Sequence, residues 1–156
     1  MASKKATSVI PIVFATAGDP VGSGLVASLA RPGGNVTGLA TLANELAGKR
    51  LELLREVVPG LRRLAIMGNV GNPFTVLELA DVQAAAGTLG LEVVMLEIRR
   101  AQDLAAAFET LKSHADALYV CTDALTNTHR IRINIAAVGE RLPRCTDLGT
   151  LSKRVV

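Results

Sequence analysis

The stretch Pro11-Ile-Val-Phe-Ala-Thr16-Ala-Gly-Asp19-Pro20-Val-Gly22-Ser-Gly24-Leu25-Val-Ala-Ser-Leu29-Ala-Arg31-Pro-Gly-Gly-Asn35-Val-Thr-Gly38 decides the fold. With Ile10 it opens on a short apolar run, Ile10–Ala15, rich in β-branched and aromatic residues, which predicts a strand. Thr16 to Pro20 makes a polar turn. Asp19 is suited to cap a helix that starts at Pro20, where a proline forfeits no hydrogen bond. Leu25, Val26 and Leu29 then fall on one helical face, and Arg31-Pro32-Gly33-Gly34 ends the helix. A strand that hands polar side chains to a helix N-terminus is where open α/β sheets hold small ligands.

Beyond Gly38 the same alternation continues. A helix is expected over Asn44–Val58, with Ala47, Leu51, Leu54 and Val58 on one face and Pro59-Gly60 as its stop. Arg63–Met67 reads as a strand. Asn72-Pro73 caps a helix to about Leu89, with Leu79, Val82, Ala86 and Leu89 inward. Leu91–Glu97 is the next strand and Asp103–Lys112 the next helix, burying Leu104, Ala107, Phe108 and Leu111. Ala115–Cys121 is a strand, and Asn127–Glu140 a helix with Ile131, Ile135 and Val138 inward. Strands alternating with helices predict βαβ units: an α/β fold with a parallel sheet flanked by helices.

Composition narrows the function classes. The chain has 156 residues, 49% of them hydrophobic, enough for a domain with a real core. No apolar run reaches the roughly 18 residues of a spanning helix. Met1-Ala-Ser-Lys-Lys is charged and Val9–Ala15 is short, so no signal peptide is expected in the chain as given. The net charge of +3 comes from scattered pairs such as Arg62-Arg63 and Arg99-Arg100, and one Tyr, three Phe and no Trp offer little for base stacking. That reads as solvated surface, with no nucleic-acid partner. Cys121 sits in an apolar strand, as a buried thiol would. Two distant histidines give no metal-ligand spacing, and no Ser/His/Asp or Cys/His set is evident, so neither catalytic nor metal residues are expected.

Three strands end in polar turns: Thr16-Ala17-Gly18-Asp19, Gly68-Asn69-Val70-Gly71-Asn72 and Thr122-Asp123. Carboxyl ends of parallel strands line one sheet edge, so such turns can converge. Helix starts after Asp19 and Asn72 offer free N–H groups to an anionic end of a ligand. Asp19 and Asp123 can accept from an ammonium group, and Asn69 and Thr16 can serve either end. Each has a structural alternative: Asp19 and Asn72 as plain caps, Asp123 as a turn residue. Asn35 and Thr37 suit a structural role in the exit turn. Gly22-Ser23-Gly24-Leu25-Val26-Ala27 also fits G-x-G-x-x-A, which raises a small α/β nucleotide-binding enzyme as the rival reading. Its glycines lie past the strand end, inside the expected helix.

These phrases resemble the substrate-binding proteins of ABC-type importers. The resemblance runs from about Ala6 to Pro143 and is carried by Asp19-Pro20-Val21-Gly22, by Arg31-Pro32-Gly33-Gly34-Asn35-Val36-Thr37-Gly38 and by Leu46-Ala-Gly-Lys-Arg-Leu-Glu-Leu-Leu54. Asn69-Val70-Gly71-Asn72-Pro73 resembles the family's NPANP, with Val70 for a proline and Gly68 where many members have Trp. Thr122-Asp123-Ala124-Leu125 resembles PDPL without its prolines.

The resemblance implies a partial type I periplasmic-binding-protein fold: one near-complete lobe plus a strand–helix piece of the other. It implies a non-enzymatic receptor that binds a small, amino-acid-like solute between two lobes and presents it to a membrane permease, with no cofactor. The ligand-binding residues would be Thr16, Asp19, Asn69, Asn72 and Asp123, and the location periplasmic or lipid-anchored extracytoplasmic. Residues 1–36 would be the end of the first lobe and 37–143 an incomplete second lobe, with Thr37-Gly38 crossing between them. Residues 144–156 depart from the family pattern. One codon choice for Pro143–Val156, read from its third nucleotide, spells AMHGSRDFVKAGG, which fits that pattern, so an out-of-frame tail is expected. Such a fragment would bind weakly or not at all and would self-associate through unpaired strand edges.

Overall fold

The structure, a computed structural model, describes residues 2–17, 19–40, 46–111 and 114–146. The chain divides into two compact units, Met1–Glu45 and Leu46–Val156.

The first unit holds helix α1 (Ala2–Ala6) and strands β1 (Ile12–Ala17) and β2 (Val36–Ala40). The two strands pair in parallel, Ile12 opposite Val36 and Phe14 opposite Gly38, with an irregularity before Ala17 opposite Ala40. Asn35 ties the strand starts together: its Nδ2 donates to the carbonyls of Ile10 at 2.7 Å and Thr7 at 3.1 Å, and its own carbonyl accepts from Ile12 N at 2.7 Å. Thr37 and Gly38 therefore lie in β2 against β1, and the division between the units falls after Glu45.

The helix expected from Pro20 does not form. Asp19 does act as the cap, its Oδ1 accepting from Gly22 N at 2.8 Å and Val21 N at 3.2 Å. Only one turn follows, closed by Ser23 N to Asp19 O at 3.1 Å and Gly24 N to Val21 O at 2.9 Å. Gly24 then swings to a φ of +70°, and the chain leaves the helical path. Two glycines in the first turn cost about 1 kcal/mol each relative to alanine, more than the short apolar face behind them returns.

The second unit is a three-layer α/β block. Its elements are α2 (Ala47–Val57), β3 (Arg63–Asn69), α3 (Pro73–Thr88), β4 (Glu92–Ile98), α4 (Asp103–Leu111), β5 (Ala117–Val120), α5 (Ala124–Thr128), α6 (Arg130–Gly139) and β6 (Arg144–Thr146). All four strands are parallel in the order β4-β3-β5-β6. The central β3 is buried on both faces from Leu64 to Gly68, which is why it reads as a continuous apolar run. One core lies under α2 and α3, with Leu51, Leu54, Leu64, Ile66, Val82 and Tyr119. The other lies under α4 and α6, with Met67, Leu104, Phe108, Leu111, Leu118 and Ile133.

The last helical segment departs from expectation. It starts earlier, at Ala124, and breaks at His129 into α5 and α6. Ile133 and Ala137 face the core, while Ile131, Ile135 and Val138 are exposed. The segment carries two stripes of similar spacing, and the break at His129 sets the phase that buries Ile133 and Ala137. Arg144–Thr146, the first residues of the expected tail, form the edge strand β6. Residues 147–156 lie outside the described residues.

Candidate functional site

The carboxyl ends of β3 and β5, neighbours at the centre of the sheet, bring Asn69, Asn72 and Asp123 to one edge. Asn69 closes β3. Its Oδ1 accepts from Gly71 N at 2.9 Å and its carbonyl from Asn72 N at 3.1 Å, folding the next residues into a tight turn. Asn72 caps α3 as expected: its Oδ1 accepts from Phe74 N at 3.1 Å and Pro73 occupies the first helical position. Asp123 follows β5 and caps α5. Its Oδ1 accepts from Thr126 N at 2.9 Å, while Thr126 Oγ1 accepts from Asp123 N at 2.9 Å, a reciprocal capping box. The second carboxylate oxygen, Oδ2, accepts from Asn69 Nδ2 at 2.5 Å.

Asp123 is only 8% exposed, so its charge is held by these donors rather than by water. The pair keeps spare valence. Asn69 has a second amide hydrogen, and Oδ2 of Asp123 has a further lone pair. Together they can present a donor and an acceptor side by side to a polar ligand.

Beneath this edge lies a buried polar cluster that the sequence reading misses. Glu78 of α3 is buried, and its Oε1 accepts from the Tyr119 hydroxyl at 3.3 Å. Its Oε2 accepts from Thr122 N, the residue before Asp123, at 3.3 Å. Arg50 of α2 donates to the Tyr119 oxygen at 3.2 Å. Burial, reinforced by the Glu78 charge, pushes the Tyr119 hydroxyl well above its ordinary pKa. One signal could have found it: Glu78 lies four residues before Val82, on the helix face expected inward, and an acid there needs partners.

In the first unit Asp19 is engaged as the cap of its turn, and the side chain of Thr16 lies outside the described residues. The Gly22-Ser23-Gly24 turn leads into no helix, so the nucleotide fingerprint lacks the helix N-terminus that would hold a phosphate. Among the described residues no group of three or more His, Cys, Asp or Glu is placed to hold a metal ion. Cys121 and Cys145 are both buried thiols. No helix of the described residues is long and apolar enough to cross a membrane.

Comparison with known proteins agrees with the fold. Residues 1–143 match the family model for ABC transporter substrate binding proteins. The tyrosine-binding protein of Clostridioides difficile strain R20291 is 32% identical over 124 residues, covering 80% of this chain and 35% of that protein. A conserved domain protein of Vibrio cholerae aligns with a TM-score of 0.84 at 28% identity, over 93% of this chain and 48% of its own. The ABC domain from Streptococcus pneumonia in complex with L-Trp aligns at 0.82 and 23% identity, over 92% and 48%, a likeness of fold. The chain thus spans about a third of the tyrosine-binding relative and about half of the two solved chains.

Proposed function

The chain belongs to the ABC transporter substrate-binding protein family, and on that premise we propose that it forms part of an extracytoplasmic solute receptor for an importer. The receptor binds a small amino-acid-like solute, without catalysis, and delivers it to a membrane permease. The Asn69–Asp123 pair at the carboxyl ends of two central parallel strands carries this reading, because that edge is where such sheets present polar groups to small ligands. Asp123 would meet a ligand ammonium group, Asn69 its carboxylate or hydroxyl, and the first turn of α3 behind Asn72 its anionic end. Thr16 and Asp19 are further solute-binding residues in this proposal. The tyrosine-binding relative makes an aromatic amino acid the first solute to test.

The test is NMR titration of the 156-residue chain with L-tyrosine, L-tryptophan, ATP and NAD. With about half of the solved relatives' length present, binding is expected to be weak, about millimolar. The amino acids should shift the amides of Asn69–Asn72 and Asp123, and the nucleotides should shift none. Nucleotide-dependent shifts at Gly22–Gly24, or silence at Asn69 and Asp123 with saturating amino acid, would overturn the reading.

A further inference from the structure

A second polar cavity, of about 180 Å³, lies between the β5–β6 edge of the sheet and helices α5 and α6. Arg144, Asn134, Thr146, Asn127, Arg130 and Thr122 line it. Neither Asn69 nor Asp123 borders it, although Thr126, the capping partner of Asp123, lines it. Its chemistry is one-sided: two guanidinium groups, two amides and hydroxyls, with no carboxylate among the described lining residues.

Arg144 is the unusual member. It begins the edge strand β6, with Leu118 of β5 as its register partner, and is 8% exposed. No carboxylate among the described residues pairs with it. Partial burial holds its guanidinium below its ordinary basicity. A cation so placed, with no carboxylate beside it among the described residues, favours an anion in the cavity. Asn134 adds a second polar deficit: its Oδ1 is buried with no hydrogen-bond partner among the described residues. The amide can turn to present its Nδ2 donor instead. Arg130 stands at the exposed rim, donating to the Asn127 carbonyl at 3.2 Å.

We propose that this cavity is a binding site for a small oxyanion, a carboxylate or a tetrahedral phosphate or sulfate, held by Arg144 with Asn134 and Arg130. The guanidinium fork matches two oxygens of such an anion, and charge-assisted bonds of this kind are about twice as strong as neutral ones. The volume is several times the roughly 30 Å³ share of one water, room for an anion of a few heavy atoms. Every described lining residue belongs to the Leu46–Val156 unit.

The test is thermal unfolding of the 156-residue chain in sodium phosphate, sulfate or succinate against sodium chloride at matched ionic strength. A saturable rise in Tm with at least one oxyanion, absent with chloride, is expected; the one that acts identifies tetrahedral or carboxylate chemistry. Arg144→Met keeps an unbranched apolar stem without the charge and should weaken the response more than about tenfold. Asn134→Asp places a carboxylate in the cavity. It should raise the Tm in anion-free buffer and abolish the oxyanion response, and it decides the matter if Arg144→Met does not fold. No saturable response in the native chain, or an undiminished one in either folded variant, overturns the proposal.

Discussion

The Asn69 amide donates to the Asp123 carboxylate at 2.5 Å, joining residues 54 positions apart in sequence. Each is also committed locally, Asn69 to the turn before α3 and Asp123 to the cap of α5. One contact therefore locks two loops at the ends of adjacent strands. A ligand bound here, as proposed, would meet groups already oriented, with a spare lone pair on Oδ2 and one spare amide hydrogen to use.

Asp123 should separate its structural duty from its binding duty by substitution. Asp123→Ala removes the cap, the reciprocal bond with Thr126 and the partner of Asn69, so urea unfolding should show a loss of about 2–3 kcal/mol. Asp123→Asn keeps a good cap and should cost about 1 kcal/mol or less. The same Asp123→Asn variant should lose the shifts caused by amino-acid ligands, because the charge facing the ammonium group is gone. Equal stability losses for Ala and Asn would remove the cap from the account.

The Glu78–Tyr119–Arg50 cluster predicts alkaline sensitivity. In the folded chain the Tyr119 hydroxyl titrates above its ordinary value of 10.0, while in the unfolded chain it titrates near that value. Above pH 10 the unfolded chain releases this proton and the folded chain keeps it, so stability falls with rising pH. Below pH 10 this contribution is fully present. Tyr119→Phe should flatten the decline in midpoint urea concentration above pH 10, at a cost near neutrality of about 1 kcal/mol for the lost hydrogen bonds. A decline equally steep in the variant would assign it to other groups.

Much of the second unit was legible because several local signals agreed. Asn72-Pro73 marked the start of α3 by cap chemistry and proline geometry together, and the Leu104, Ala107, Phe108, Leu111 stripe placed α4 without ambiguity. Where two patterns competed, periodicity alone could not choose. The Ile131, Ile135, Val138 stripe is the more hydrophobic one, yet the break at His129 turns Ile133 and Ala137 inward. The turn at Gly22–Gly24 shows the opposite failure, a good cap and proline overruled by backbone entropy. At the site, the residue types were readable, but their mutual bonding was not. That Asn69 would spend an amide hydrogen on Asp123 follows only from the strand order, which no local pattern encodes.

Gly68 offers a test of close packing at the end of β3. A Cβ there would stand 2.8 Å from a terminal carbon of Leu79 on α3, tighter than real contacts allow. Gly68→Ala should therefore destabilise by about 1–3 kcal/mol despite the better strand propensity of alanine. Combining it with Leu79→Val should recover part of that loss, whereas additive losses in a double-mutant cycle would show that Leu79 is not the obstacle.

The first unit should drive self-association. Its sheet has two strands, so each has one edge without a partner in the described sheet. Val13 of β1 is 74% exposed and Leu39 of β2 72%, with Val9 and Ile10 exposed beside them. Open edges and an apolar face together favour pairing with a second copy. Light scattering on the 156-residue chain should show a mass that rises with concentration above that of the 16.3 kDa monomer. Val13→Lys places a charge on the exposed face of β1, and should return the mass toward the monomer while the unfolding transition of the second unit stays in place. A monomer at high concentration in the native chain would mean that these apolar side chains remain solvated. A Val13→Lys chain that still associates would move the contact to the exposed Ile131–Ile135 face of α6.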